Sequence, residues 1–217
     1  STAPETHVSK ILIAEDDSFL LSLLDLQCSS LNMQTCCVGN GELLVAEALS
    51  YTFDIILTDI QMPLCDGIEA MQILRRLGYD RPVFAMSADS LECEGFDYIF
   101  EKPVNVELLA ELLSGTPTQQ PLPLQLNSQL TNLFYQNLAQ LSQDFATALN
   151  NEEREQMRLI CHKIKGGAAS FGHGALSQLA DHLQQRLLLQ KLDLTLLNEC
   201  QQFLLVTQQA GADNERT

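Results

Sequence analysis

Several side chains in this sequence could do chemistry together. The acidic run Glu15, Asp16, Asp17 ends a short apolar stretch, KILIA, and Asp59 ends another, FDIILT. Gathering carboxylates at one spot is unfavourable unless a cation sits among them, and oxygen donors in this number suit Mg²⁺. Ser87 closes the apolar run VFAMS, and Lys102 follows YIFE after one glutamate-terminated strand pattern. A carboxylate that accepts a phosphoryl group gains negative charge, and a divalent cation, an ammonium and a hydroxyl are the partners that neutralise and hydrogen-bond its oxygens. The set therefore supports formation of an acyl phosphate on Asp59. Any one of these acids alone is more simply read as a helix cap or a solvated loop residue. The convergence of two strand ends weighs against that.

A second cluster lies in CHKIKGGAASFGHGAL. A histidine in mid-helix is usually a packed or surface residue. Here His162 and Lys165 stand at i and i+3, which puts an ammonium beside an imidazole on one helix face. Gly166 and Gly167 follow, and two glycines inside a helix cost about 1 kcal/mol each relative to alanine, so the expectation is that a partner approaches the backbone there.

The elements that must position these groups follow from periodicity. Before residue 114, short apolar runs (KILIA, MQTCCV, FDIILT, PVFAMS, DYIFE) alternate with helical patterns near residues 19–29, 42–49, 67–77 and 106–113. Such alternation predicts a doubly wound, five-stranded parallel sheet with helices on both faces, and continuous apolar strands fit burial on both sides. Ligands of such sheets bind at the carboxyl ends of the strands, where Glu15 to Asp17 and Asp59 fall. Pro63 and Gly67 read as loop formers beside Asp59. The stretch GTPTQQPLPLQ, with three prolines, predicts a linker over 115–126 between a first domain, 1–114, and a second, 127–217. Beyond it the strand signal ends. Leu130, Leu133, Leu138, Leu141, Phe145 and Leu149 recur at helical spacing, and further helical patterns over about 152–170, 174–190 and 193–209 predict an all-α four-helix bundle.

The formal net charge of −16 argues against nucleic acid as a partner. It is concentrated in residues 1–114, with 5 Lys and Arg against 19 Asp and Glu, whereas residues 115–217 carry 7 against 9. No apolar run approaches the ~20 residues of a membrane span, and STAPETHVSK lacks the features of a secretion signal, so a cytoplasmic location is expected. Seven cysteines at irregular spacing, without a CxxC pair, predict packed, reduced thiols rather than disulfides or zinc ligands. His173 and His182 read as helix-start and solvent-face residues.

The motifs ILIAEDD, LTDIQMPLCDGIEAM, AMSAD and EKP resemble the response-regulator receiver domain, a flavodoxin-like fold, over residues 9–114. The resemblance implies Asp59 as phosphoacceptor, with Asp16, Asp59 and the Gln61 backbone carbonyl as Mg²⁺ ligands and Glu15 acting through water. It also implies Ser87 as the switch hydroxyl, Lys102 as the phosphate-binding lysine and Tyr98 as an aromatic switch, while Asp17 reads as a helix-start residue. Between Ser87 and Lys102 the sequence is about two turns too short for the helix that receivers carry there. His162, Lys165 and Gly166 match the HxxKG signature of the histidine-containing phosphotransfer (HPt) domain, with Ile164 and Phe171 in place, over residues 124–210. That resemblance implies His162 Nε2 as the phosphate-carrying atom and Lys165 as its electrostatic partner.

A receiver followed by an HPt domain is similar to the C-terminal region of bacterial tripartite hybrid sensor histidine kinases. The implied function is reversible transfer between Asp59 and His162 in a two-component phosphorelay. The implied partners are a histidine kinase transmitter domain upstream and the receiver of a separate response regulator downstream. The chain lacks a glycine-rich ATP site and is expected to be a fragment of such a kinase, whose parent is anchored in the inner membrane. Two rival readings are a phosphatase branch that drains phosphate back through Asp59 and a docking scaffold without phosphorylation. Phosphate trapped on His162 separates all three.

Overall fold

The structure, a computed structural model, describes residues 8–62, 65–88, 93–114 and 124–215. Pro63 and residues 115–123 of the expected linker lie outside them. The chain divides into two compact units, Ser1–Pro123 and Leu124–Thr217.

In the first unit each apolar run forms a strand: β1 (Lys10–Ala14), β2 (Gln34–Val38), β3 (Ile55–Asp59), β4 (Val83–Ser87) and β5 (Tyr98–Glu101). All pair in parallel in the order β2-β1-β3-β4-β5. The helices are α1 (Ser18–Ser30), α2 (Gly41–Ser50), α3 (Gly67–Arg76) and α4 (Val106–Ser114). Every residue of β3 and β4 is buried, because side chains alternate between two covered faces. Leu12, Ala14 and Ile56 pack with Leu44, Ala48, Ala70 and Leu74 of α2 and α3 on one face. Ile11, Ile13, Ile55 and Leu57 pack with Leu24, Cys28, Val106 and Leu109 of α1 and α4 on the other.

Among the described residues no helix joins β4 to β5, in keeping with the shortened sequence. Parallel neighbours ordinarily need a dozen or more connecting residues. Here a side chain and a guanidinium do the covering. Phe96 packs on the cluster beneath α2 and α3. Gly95, at φ +102°, lies so close to α3 that a Cβ would stand 2.6 Å from the Met71 Cε. Arg75 donates to the carbonyls of Tyr79 at 2.9 Å and Arg81 at 2.8 Å and to the Asp97 carboxylate at 2.9 Å, and Asp97 in turn accepts the Val83 N–H at 2.8 Å. The end of α3 thus pins the short connection to the head of β4.

The second unit is four helices, α5 (Leu124–Asn150), α6 (Arg154–Ser170), α7 (Gly174–Leu189) and α8 (Leu194–Glu215). Helix α5 begins at Leu124, inside the stretch expected as linker. Its inward face, Leu130, Phe134, Leu138, Leu141 and Phe145, is buried. Helix α5 packs against α6 and α8, and α7 against α6 and α8; Met157, Ile160, Cys161 and Ile164 of α6 and Leu176, Ala180, Leu183 and Leu187 of α7 are buried as well. Phe134 stacks on Phe171 at 4.8 Å between ring centroids, and Phe145 meets Phe203 edge-on at 5.3 Å. Full burial of each such side chain stabilises by roughly 1.5–3 kcal/mol. Asp193 caps α8, accepting the Leu196 N–H at 2.9 Å. The cysteines are free, four of them buried. No helix among the described residues is long and apolar enough to cross a membrane.

Candidate functional site

The carboxylate pocket is assembled where β1, β3, β4 and β5 end. Glu15 leaves β1 with its N–H donating to the Val38 carbonyl at 3.1 Å, which turns its side chain toward the end of β3. Asp59 is the last residue of β3. The Lys102 ammonium, just past β5, pairs with both acids, at 2.9 Å from Glu15 Oε2 and 3.1 Å from Asp59 Oδ2. The Lys102 N–H donates to the Ser87 carbonyl at 2.8 Å, which keeps the buried end of β4 beside the pocket. Asp59 Oδ1 accepts the Gln61 N–H at 3.3 Å, so that backbone segment folds back over the acid. Gly67 makes room for this: a Cβ there would lie 2.1 Å from the Asp59 carbonyl oxygen, so only glycine lets α3 start against the end of β3.

Asp16 is exposed, yet carboxylate oxygens of Glu15, Asp16 and Asp59 all lie within 4.8 Å of one another. Asp17 instead caps α1, accepting the Phe19 N–H at 2.9 Å, as its place beyond the acidic pair led us to expect. One ammonium among three carboxylates leaves the pocket short of positive charge. An all-oxygen donor set of this kind fits a hard divalent cation such as Mg²⁺.

Burial and the neighbouring Asp59 charge push the Glu15 carboxyl up to about 8, against the pull of Lys102. Burial lowers the Lys102 ammonium, but the Glu15 and Asp59 charges outweigh it and hold the group above its usual value. The folded protein therefore keeps a proton on Glu15 that the unfolded chain, with a carboxyl near 4.5, has already released. That stabilisation is complete below the unfolded value and is lost as pH climbs toward about 8. In the presence of a chelator, thermal melts of the first unit should fall between pH 5 and 8, and Glu15→Gln should flatten the slope; an equal slope in the variant would remove Glu15 as the cause.

The histidine site is the seam between α6 and α7. Helix α6 buries Met157, Ile160, Cys161, Ile164, Gly167 and Ala168, which leaves His162, Lys165 and Gly166 half-buried along its flank. Gly167 therefore serves packing between helices. The expectation that it admits a partner is corrected; Gly166 alone shares the face of His162. Helix α7 runs antiparallel and lays three polar side chains along this flank. Gln184 Nε2 contacts His162 Nδ1 at 3.2 Å, Asp181 pairs with the Lys165 ammonium at 2.9 Å, and Ser177 Oγ donates to the Lys165 carbonyl at 2.9 Å. None of the three was singled out in the sequence. Their signal was legible in SQLADHLQ, where Ser177, Asp181 and Gln184 stand at i, i+4 and i+7 on one stripe of an amphipathic helix. His173 does start α7, but its Nε2 lies 2.9 Å from the Tyr135 hydroxyl and its ring stacks on Phe134. His182 is exposed. Tyr98 is partly exposed on β5, 4.7 Å from Phe100 and 6.0 Å from Phe84 between centroids.

Comparison with known proteins agrees with this division. Residues 11–114 match the family model of the response regulator receiver domain, and residues 129–211 match that of the Hpt domain. The sensor histidine kinase RcsC of Salmonella typhimurium is 32% identical over 52% of this chain and 13% of its own length. The autoinducer 1 sensor kinase/phosphatase LuxN of Vibrio campbellii is 30% identical over 52% of this chain and 14% of its own. The solved response regulator TrrA of Thermotoga maritima, in complex with Mg²⁺-BeF, is 23% identical over 50% of this chain and 98% of that one, with a TM-score of 0.46. The chain thus spans less than a quarter of the length of these two curated relatives.

Proposed function

We propose that this phosphorelay module, which joins a response regulator receiver domain at residues 11–114 to an Hpt domain at residues 129–211, moves a phosphoryl group between Asp59 and His162. The single observation that carries the residue assignment is the buried Asp59 carboxylate held between the Lys102 ammonium and the Gln61 N–H. A carboxylate so placed is fixed for in-line attack on a phosphoryl donor. Glu15, Asp16, Asp59 and the Gln61 carbonyl would hold Mg²⁺, which when bound supplies charge neutralisation at the transferring oxygens. Lys102 turns from the carboxylates to a phosphoryl oxygen, and the Ser87 hydroxyl donates to another. Tyr98 is assigned the part of aromatic switch.

In the onward step His162 Nε2 is the nucleophile. Its lone pair is available when Nδ1 carries the proton, and the Gln184 amide accepts a hydrogen bond from Nδ1–H when its carbonyl oxygen takes the place facing Nδ1. As the Nε2–P bond forms, the O–P bond breaks and Asp59 returns as a carboxylate. Lys165 offsets the charge of the phosphoryl group. The donor to Asp59 is a histidine kinase transmitter, and the acceptor from His162 is the receiver of a separate response regulator.

The wild-type full chain, incubated with acetyl phosphate and Mg²⁺, tests this reading. Base-labile acyl phosphate should appear first and base-stable, acid-labile phosphohistidine after it. Acyl phosphate that never gives rise to phosphohistidine would leave a receiver without a relay.

A further inference from the structure

The α6/α7 seam holds a charged group that the transfer step itself does not use. Its contacts run in antiparallel order, Gln184 to His162 and Asp181 to Lys165. Asp181 and Gln184 are neighbours at i and i+3 on α7, as Lys165 and His162 are on α6. The four side chains form one patch. A phosphoryl group on His162 would therefore arrive beside a cation already engaged and beside the anion that engages it. The other cations of α6 are placed differently: Arg154 opens the helix two turns before the histidine, Arg158 pairs with Glu155 at 2.9 Å, a turn before it, and Lys163 is exposed.

We propose that Asp181 sets how strongly His162 retains a phosphoryl group, by holding Lys165 in the unphosphorylated state and by repelling the phosphoryl oxygens once they arrive. This rests on the relay reading above and extends it to the transfer equilibrium. The Asp181 and Lys165 side chains are 44% and 23% exposed, so their pair is weak enough to exchange. Lys165 swings from a single carboxylate to a phosphoryl group of higher charge, and Asp181 is left as a like charge nearby. The site accepts the group and does not trap it. By linkage, the phosphoryl group that Asp181 disfavours on His162 is passed more readily back to Asp59 or onward to a partner's carboxylate. Asp181 is a positioning residue: it touches Lys165, and through it governs the phosphohistidine.

The test reads the ratio of base-stable to base-labile phosphate on the full chain after acetyl phosphate and Mg²⁺. Asp181→Asn frees Lys165 and removes one like charge, and should raise the ratio about 3- to 5-fold. Asp181→Glu, which restores the pair, should return it to near the wild-type value, and Lys165→Met should lower it. Thermal melts of each variant accompany the ratios, because a purely structural pair would change stability and leave the ratio alone. An Asp181→Asn ratio equal to or below that of the wild type overturns the inference, whatever the melting temperature. Absence of base-stable phosphate in the wild type is a different failure: it removes the relay reading, and this inference with it.

Discussion

Asp59→Asn is expected to leave the full chain without phosphate in either form, base-labile or base-stable, after incubation with acetyl phosphate and Mg²⁺. The loss should be at least about a thousand-fold, since the variant lacks the carboxylate proposed to form the acyl bond. Asparagine has the size of aspartate, so the pocket keeps its shape, and the amide can still accept from the Gln61 N–H that now contacts Asp59 Oδ1. The change also removes the charge of one of the two buried carboxyl groups that Lys102 bridges and lowers the repulsion on Glu15. Melting temperature should therefore hold or rise while phosphorylation disappears. The second half of the expectation concerns order of transfer. If His162 receives its phosphoryl group only through Asp59, base-stable phosphate vanishes with the base-labile form. Base-stable phosphate accumulating at the wild-type rate in Asp59→Asn would mean that His162 is charged directly, and the intramolecular route would be wrong.

Asp16→Ala separates the metal from the fold. Asp16 is exposed, so truncating it opens no cavity, whereas its oxygens complete the three-carboxylate cluster with Glu15 and Asp59. Removing one anionic donor from a hard-cation site weakens binding and withdraws charge neutralisation where it is needed in the transition state. Phosphorylation by acetyl phosphate should fall roughly 100-fold, and the increase in melting temperature on adding Mg²⁺ should shrink or disappear. A variant that is phosphorylated at the wild-type rate, with its Mg²⁺-dependent stabilisation intact, would show that the cation is held elsewhere. Together the two variants distinguish the nucleophile from the metal site, because Asp59→Asn abolishes chemistry without loss of stability and Asp16→Ala alters the response to the cation.

Much of this protein is determined by local pattern. The strands follow from apolar runs of four or five residues, and the burial of β1, β3 and β4 on both faces follows from helices lying between the strands in sequence. The carboxylate pocket was legible for the same reason: a residue that ends a strand of a parallel sheet must emerge at the common carboxyl edge, whatever the loop lengths. Glu15, Asp59, Ser87 and Lys102 are all such residues or immediate neighbours of them. The four amphipathic helices and the place of His162 on the second of them were likewise carried by 3.6-residue periodicity.

Tertiary structure decided what periodicity leaves undetermined, namely which side chains meet across elements. The direct bond from Lys102 to Glu15 depends on two residues 87 positions apart. The short β4–β5 connection is held by Arg75 and Phe96, which no local rule assigns to that task. Gly166 and Gly167 are equivalent as letters, but 100° of helix rotation buries one and leaves the other beside the histidine. The column Ser177, Asp181 and Gln184 is a plain polar stripe until α7 is laid antiparallel against α6, when each residue acquires one partner at the histidine site. The sequence alone marked Asp59 and His162 as the candidates for carrying a phosphoryl group, because reactive type and strand or helix position are local properties. Which charges restrain those residues is a property of packing between distant segments, and only the folded chain decided it.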